Sequence, residues 1–294
     1  MTLQLNERLD GVRVAITGGT SGLGLALVNE LTRRGARVAF VARTRDRVDE
    51  VARVYPLAYG IVGDVASKED IYPIALQILG GLGGLDVLVN NASSLGPVPL
   101  ALLADTDCED LELALATNVL GPFRLTKALL GALAASVRES DGANAGLPRQ
   151  SADGAKAGVV VNISSDAAIN AYPQWGAYGA SKAALRHLTR IWDEELAPQG
   201  IHFLSLDPGD MDTPLHALAV PDADPSTLKR PEAAAREIAD AIADLRATGA
   251  STFAEASVDR SAGQAPVRAD DASTSAKASV DQAVRPADVV GAVP

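Results

Sequence analysis

The stretch from Val12 to Arg34 limits the fold more than any other. A short apolar run, Val12-Arg13-Val14-Ala15-Ile16-Thr17, breaks into Gly18-Gly19-Thr20-Ser21-Gly22-Leu23-Gly24 and then into a helical pattern from Leu25 to Arg34. This reads as strand, glycine turn, helix. Glycines at such a turn let the backbone approach a pyrophosphate, which the helix N-terminus attracts through its N–H groups and dipole. The spacing, G-x-x-x-G-x-G, departs from the common G-x-G-x-x-G dinucleotide fingerprint, and the same residues also suit a tight structural loop.

The pattern then repeats. Arg37–Ala42, Leu57–Val62, Asp86–Asn90, Gly158–Ile163 and Ile201–Leu206 read as further strands. Helical patterns fall at about Ser67–Leu79, Asp107–Val137, from Tyr178 to about Leu196, and from Pro231 to about Leu245, where Pro231 opens the helix and Glu232 suits its positive end. Alternating strands and helices joined by short turns imply a parallel sheet covered on both faces. Ligands of such sheets bind at the carboxyl ends of the strands. Asn90-Asn91-Ala92-Ser93 ends the fourth strand at that edge, although an Asn pair also suits a plain turn. At the end of the second strand Ala42 and Arg43 stand where an acid would accept the ribose 2′-OH of NAD; a basic residue there accommodates the 2′-phosphate of NADP. Arg43 and Arg45 therefore favour NADP(H) over NAD(H), against the plainer reading of a solvated arginine pair.

Tyr178-Gly179-Ala180-Ser181-Lys182 carries the reactive chemistry. Residues four apart share a helix face, so the lysine ammonium can lie beneath the tyrosine phenol. A fixed cation there favours the phenolate and pulls the phenol's pKa from about 10 toward neutrality, suiting it to general acid or base work. An ordinary half-buried tyrosine with a solvated lysine would read the same way in isolation. In the long helix, Pro122 lacks the N–H that would bond the carbonyl of Asn118, which leaves that carbonyl to hold a water; the plain alternative is a kinked helix.

The 294 residues, 47% of them apolar, suffice for one large α/β domain. The first residues carry charges and reach a strand within about a dozen positions, so no signal segment is expected, and no apolar run approaches the ~20 residues of a membrane span. Cys108, alone of its kind, forms no internal disulfide and fits a reducing cytoplasm; His187, His202 and His216 lack metal-ligand spacing, so no metal is expected. A net charge of −11 disfavours nucleic acid and anionic membranes. Residues 138–157 lack an apolar period and read as a surface insertion. Residues 249–294 are rich in Ala, Ser, Asp and Val and read as a disordered low-complexity tail behind a catalytic domain of residues 1–248.

Taken in order, Thr17-Gly18-x-x-x-Gly22-x-Gly24, Asp64-Val65, Asn90-Asn91-Ala92, Asn118, Ser165, Tyr178-x-x-x-Lys182 and Pro208-Gly209-x-x-x-Thr213 resemble the short-chain dehydrogenase/reductase family in its single-domain form, over roughly Leu9 to Ala247. The resemblance implies a doubly wound, Rossmann-like parallel sheet in one domain. It implies a site of Asn118, Ser165, Tyr178 and Lys182, in which the serine thirteen residues before the tyrosine steadies the substrate oxygen, the tyrosine protonates it, and the lysine tunes the phenol and holds the nicotinamide ribose. For the cofactor it implies Gly18, Thr20, Ser21, Gly22, Leu23, Gly24, Arg43, Asp64, Val65, Asn91, Ala92, Tyr178, Lys182, Pro208, Gly209 and Thr213, with Asp64 at the adenine, Asn90 near the adenosine side and Thr213 at the carboxamide.

The implied activity is hydride transfer between NADP(H) and a small carbonyl or alcohol substrate, in a cytoplasmic homodimer or homotetramer. The alternative is a cofactor-binding sensor or scaffold of the same fold with little turnover. Three departures are expected to matter. Ser93 replaces the family's usual glycine and narrows the site, the segment between Thr213 and Pro231 is short for a substrate lid, and no seventh strand follows the last helix. Asp210 and Asp212 either favour polar or cationic substrates or are exposed loop acids.

Overall fold

A computed structural model describes residues 9–142 and 156–248, all within one compact unit, Met1–Val258. Six strands, β1 (Arg13–Thr17), β2 (Arg37–Ala42), β3 (Tyr59–Val62), β4 (Val87–Asn90), β5 (Gly158–Ile163) and β6 (Ile201–Leu206), form one sheet in the order β3-β2-β1-β4-β5-β6. Every pairing is parallel. The order reverses between β1 and β4, so a crevice opens at the carboxyl ends of those two strands, as in the doubly wound dinucleotide-binding sheets.

Side-chain alternation along the strands builds two cores from one sheet. Val14, Ile16, Val38, Phe40, Val87, Val89, Val159 and Val161 face one side, where α1 (Gly22–Arg33) packs with Leu27 and Leu31 and α8 (Pro231–Thr248) with Ile238 and Ile242. Ala15, Ala39, Val41, Leu88, Val160 and Phe203 face the other, against α3 (Ile71–Leu82) and α5 (Gly121–Gly142), whose Leu125, Leu129 and Leu133 repeat at a spacing of four and are fully buried. Phe123 stacks on Trp192 of α6 (Gly176–Leu196) with ring centroids 5.2 Å apart, and Trp192 meets Phe203 at the same separation.

Two helices have weak sequence signals. α2 (Arg45–Val54) buries only Val48 and Val51 of its ten residues, and α7 (Pro214–Ala219) spans six residues between the sixth strand and α8. The third strand starts at Tyr59 rather than at Leu57, which is 82% exposed. α3 starts at Ile71 rather than Ser67 because residues 64–70 form a turn in which Asp70 accepts the Asp64 N–H at 2.8 Å. The helix expected over 107–137 is α4 (Cys108–Leu115), a π-helical turn (Ala116–Leu120) and α5, in which the Gly121 N–H reaches back five residues to the Ala116 carbonyl. A widened turn therefore leads into Pro122. α5 also continues to Gly142, so the insertion expected from 138 does not begin there; its residues 143–155 and the expected tail, 249–294, lie outside the described residues. Among the described residues no seventh strand joins the sheet.

The amino-terminal edge of the sheet is tied by charge. Asp86 accepts the Arg13 main-chain N–H at 2.7 Å and the Arg13 guanidinium at 3.1 and 3.0 Å, and Ser136 of α5 donates to it as well. Arg246, near the end of α8 and 94% buried, donates to the carbonyls of Ala157 at 2.6 Å and Asp86 at 3.3 Å, which joins α8 to the starts of β4 and β5.

Candidate functional site

The glycine turn closes through contacts that tolerate no side chain. Gly18 has φ of +71°, a left-handed conformation that favours glycine, and a Cβ at Gly24 would lie 2.0 Å from the Gly18 carbonyl oxygen. Thr17, the last residue of β1 and nearly fully buried, accepts the main-chain N–H groups of Asn91 and Ala92, both at 3.0 Å, while the Asn91 amide donates to the carbonyls of Thr17 at 2.9 Å and Gly18 at 3.2 Å. The ends of β1 and β4 are thereby locked together at the crevice. It is Asn91 that reaches the glycine turn. The Asn90 side chain turns inward, donating to Asn162 of β5 at 2.8 Å and to Thr126 at 3.4 Å.

Ser21 precedes α1 but its hydroxyl makes no capping hydrogen bond, so the leading N–H groups of the helix are not met by that side chain and suit an anion. Leu23 is buried beneath the turn, Thr20 is half-buried and Ser21 is exposed. A Cβ at Gly22 would lie 3.1 Å from Thr213 Cγ2, so the segment after β6 comes up against the glycine turn. In that segment Pro208 is buried and Gly209 exposed, and Thr213 caps α7 by accepting the His216 N–H at 3.2 Å. At the end of β2, Arg43 is exposed, and its guanidinium has no hydrogen-bond or ion-pair partner among the described residues. Asp64 accepts the Ala66 N–H at 2.9 Å, shaping the turn that buries Val65 after β3. A glycine cradle that no side chain could enter and a helix start that Ser21 does not cap together fit the pyrophosphate of a nicotinamide dinucleotide.

Further along the same edge, β5 ends in Ser164 and Ser165. Ser165 begins a short 3₁₀ turn (Asp166–Ala168), accepting the Ala167 N–H at 3.2 Å and donating to Asp166 at 3.2 Å. Tyr178 projects from α6 into an apolar cluster with Leu95 and Ala167, packed by Leu100, Trp175, Leu215 and Ala219; Trp175 meets its ring edge-on at 5.7 Å. Burial pushes the phenol up to about 12, with the carboxylates of Asp207 and Asp166 acting the same way and the polar side chains of Ser165 and Ser93 acting against it.

Lys182 lies below the ring with Nζ 5.5 Å from its centroid and donates to the Ile163 carbonyl at 2.7 Å; burial pushes the ammonium down to about 8, with Asp207 acting the other way. The phenol is thus held above its ordinary value by burial and not drawn toward neutrality as expected. Asn118, in the π-helical turn, is fully buried and fully bonded. Its amide nitrogen donates to the Ser94 carbonyl at 2.7 Å and the Ser181 hydroxyl at 2.8 Å, and its oxygen accepts the Ser94 N–H at 2.8 Å and the Ser93 hydroxyl at 3.2 Å.

The fold thus brings Asn118, Ser165, Tyr178 and Lys182 to one region of the carboxyl edge. Asp210 and Asp212 are exposed, their main chain paired with Lys229 through Lys229 N–H to the Asp210 carbonyl at 2.9 Å and Asp212 N–H to the Lys229 carbonyl at 3.0 Å, which fits loop acids. Ser94 and Ser181 are bonded to Asn118 without having been expected in the site, and Ser93, expected only to narrow it, bonds Asn118 as well. The only sequence signal was the hydroxyl at 93 where the family places glycine. Among the described residues no three His, Cys, Asp or Glu side chains are grouped to hold a metal, and no helix is long and apolar enough to cross a membrane.

Residues 13–224 match the family model for short chain dehydrogenases. The chain is 34% identical over 209 residues to 2-(R)-hydroxypropyl-CoM dehydrogenase of Xanthobacter autotrophicus, covering 69% of this chain and 76% of that protein. A short chain dehydrogenase of Escherichia coli CFT073 complexed with NADPH superposes with a TM-score of 0.70 at 26% identity, over 84% of this chain and 97% of that one. Another, from Burkholderia cenocepacia J2315 in complex with NADP, superposes with a TM-score of 0.67 at 25% identity, over 80% and 91%.

Proposed function

The chain belongs to the short-chain dehydrogenase family of oxidoreductases, and on that premise we propose that it moves a hydride between NADP(H) and the carbonyl carbon of a small organic substrate, with Tyr178 as the proton donor to the carbonyl oxygen. The observation that carries this reading is the Lys182 ammonium over the Tyr178 ring, 5.5 Å from its centroid, at the strand edge that also holds Ser165 and the glycine cradle. NADP bound to the Burkholderia cenocepacia relative and NADPH bound to the Escherichia coli one support the choice of cofactor, as does Arg43 in place of an acid.

The cofactor, when bound, supplies or accepts the hydride. Gly18, Gly22, Gly24 and the start of α1 hold its pyrophosphate, Arg43 its 2′-phosphate, Asp64 and Val65 its adenine end, and Thr213 its carboxamide end. Ser165 donates to the substrate oxygen and stabilises the negative charge that grows there. With its phenol held at about 12, Tyr178 carries its proton at neutral pH and gives it to that oxygen during reduction. The O–H bond forming on the substrate replaces the one breaking on the phenol, and Lys182 attracts the phenolate left behind. The apolar wall of Leu95, Leu100, Trp175 and Leu215 excludes water from this transfer.

The test is NADPH oxidation across a panel of aldehydes, ketones and quinones. Turnover in the wild type that falls by about 10²-fold or more in Tyr178→Phe, with NADPH affinity little changed, is the expected result. Tight NADPH binding with silence across the panel would instead favour a sensor.

A further inference from the structure

The Ser165 hydroxyl has one proton to donate, and it goes to Asp166 Oδ1 across 3.2 Å while the hydroxyl oxygen accepts the Ala167 N–H. The other oxygen of the Asp166 carboxylate accepts the Tyr172 phenol at 2.6 Å, a bond that holds this phenol above its ordinary pKa range. Asp166 is half-buried beside the serine, and Tyr172 reaches it from an exposed turn. The backbone of that turn is held in a costly shape. The Trp175 N–H closes it on the Tyr172 carbonyl at 3.3 Å, and Gln174 within it has φ of +72°, a left-handed conformation that disfavours any residue with a Cβ. The carboxylate next to the serine is therefore fixed at both oxygens, one by Ser165 and one by Tyr172.

One proton cannot serve both Asp166 and a substrate. When the Ser165 hydroxyl turns to a substrate oxygen, Asp166 Oδ1 gives up that donor, and the loss weakens binding unless the incoming molecule replaces it. The replacement has to lie close to the oxygen that Ser165 now serves. Oxygens on adjacent carbons are about as far apart as two hydrogen-bonded oxygens, so a hydroxyl on the carbon next to the carbonyl can donate to Asp166 while the carbonyl accepts from Ser165. We infer that Asp166, held by Tyr172, is a specificity-determining residue, and that the substrate class is an α-hydroxy carbonyl compound reduced to a vicinal diol. The inference rests on the carbonyl reductase reading above. The hydride passes from NADPH to the carbonyl carbon, the carbonyl oxygen takes the Tyr178 proton, and the α-hydroxyl keeps its own. An α-keto acid would instead set its carboxylate against that of Asp166, which disfavours it.

The test compares kcat/KM with NADPH for acetoin, butan-2-one and 2-oxobutanoate, which share one carbon skeleton. The wild type should favour acetoin over butan-2-one by roughly tenfold or more, as one charge-assisted hydrogen bond warrants, and should use 2-oxobutanoate least. Asp166→Ala should bring the ratio of acetoin to butan-2-one to about one, and Asp166→Asn should raise 2-oxobutanoate relative to butan-2-one by about tenfold. Tyr172→Phe, which leaves the carboxylate untethered, should give a ratio between those of the wild type and Asp166→Ala. General damage to the fold lowers the rates together, so a merely structural Asp166 would leave these ratios unmoved. Equal use of acetoin and butan-2-one by the wild type, a preference for 2-oxobutanoate, or a preference for acetoin that survives Asp166→Ala overturns the inference; an unchanged ratio in Tyr172→Phe overturns the part given to Tyr172. If none of the three is reduced, calorimetry of butane-2,3-diol and butan-2-ol with the NADPH-loaded protein decides, since no hydride moves between a reduced cofactor and an alcohol. Tighter binding of the diol that Asp166→Ala removes would keep Asp166 as the reader of the second hydroxyl and overturn only the reductase reading, whereas equal binding of the two alcohols overturns the inference itself.

Discussion

The amide of Asn118 donates to the hydroxyl of Ser181 across 2.8 Å, and that hydroxyl in turn donates to the main-chain carbonyl of Tyr178 at 2.7 Å. The π-helical turn and the helix bearing the tyrosine are therefore joined by a buried polar chain. A shift in one element moves the other, which gives Asn118 a structural role alongside any part in catalysis.

Asn118→Ala would leave the Ser94 main-chain groups and the Ser181 hydroxyl short of a buried partner. The expected cost is about 2–4 kcal/mol of folding stability, read from urea unfolding, since an unsatisfied buried polar group costs roughly 1–3 kcal/mol and a cavity adds to it. A loss below about 1 kcal/mol would show that water replaces the amide without penalty.

Arg43→Ala should weaken NADPH by roughly one to two orders of magnitude while leaving NADH nearly unchanged, because a charge-assisted hydrogen bond to the 2′-phosphate contributes about 1.5–3 kcal/mol. Calorimetric titration of both cofactors into both proteins checks this. Tighter binding of NADH than NADPH by the wild type would make Arg43 a solvated surface residue.

Gly24→Ala places a methyl group 2.0 Å from the Gly18 carbonyl oxygen, which belongs to the backbone and cannot swing aside. The turn must open, so cofactor affinity should drop by at least about tenfold, with a melting temperature lower by several degrees. Thermal melts with and without NADPH separate the two effects, and a variant matching wild type in both would mean that the turn is not a tight cradle.

Lys182 supplies the pH prediction. Burial holds its ammonium at about 8 in the folded chain against about 10.4 unfolded, so between those values the unfolded state binds more protons and stability rises with pH. This contribution is complete above the unfolded value and is lost as pH falls through about 8. Lys182→Met should then be more stable than wild type at pH 7 by on the order of 1–3 kcal/mol, and the difference should shrink toward pH 10. Urea unfolding at both pH values tests the sign; a pH-independent difference would mean that the ammonium is not penalised by burial.

The strands were legible because a parallel sheet covered on both faces requires unbroken apolar runs, and Arg37–Ala42, Gly158–Ile163 and Ile201–Leu206 begin and end where those runs do. α2 was not legible: RDRVDEVARV commits only Val48 and Val51 to the core, too few apolar positions to set a period. The start of α3 was misplaced because a turn held by Asp70 looks, in sequence, like the first turn of a helix. The glycine turn and the Tyr178–Lys182 pair are local spacings that can be read along the chain, whereas Ser165 is singled out from Ser164 only by the family resemblance. The bonds of Asn118 to Ser93 and Ser94 join residues about 25 positions apart, on a loop and a widened helical turn, and no local periodicity encodes such a pairing.

The grip of Arg246 on the Asp86 and Ala157 carbonyls also sets where the chain can be cut. A protein ended at Leu245 loses the guanidinium that fastens two strand starts, whereas one ended at Thr248 retains it together with the whole of α8. Fusion partners and affinity tags therefore belong beyond position 248, and shortening by three residues more should turn a soluble product into one recovered from inclusion bodies.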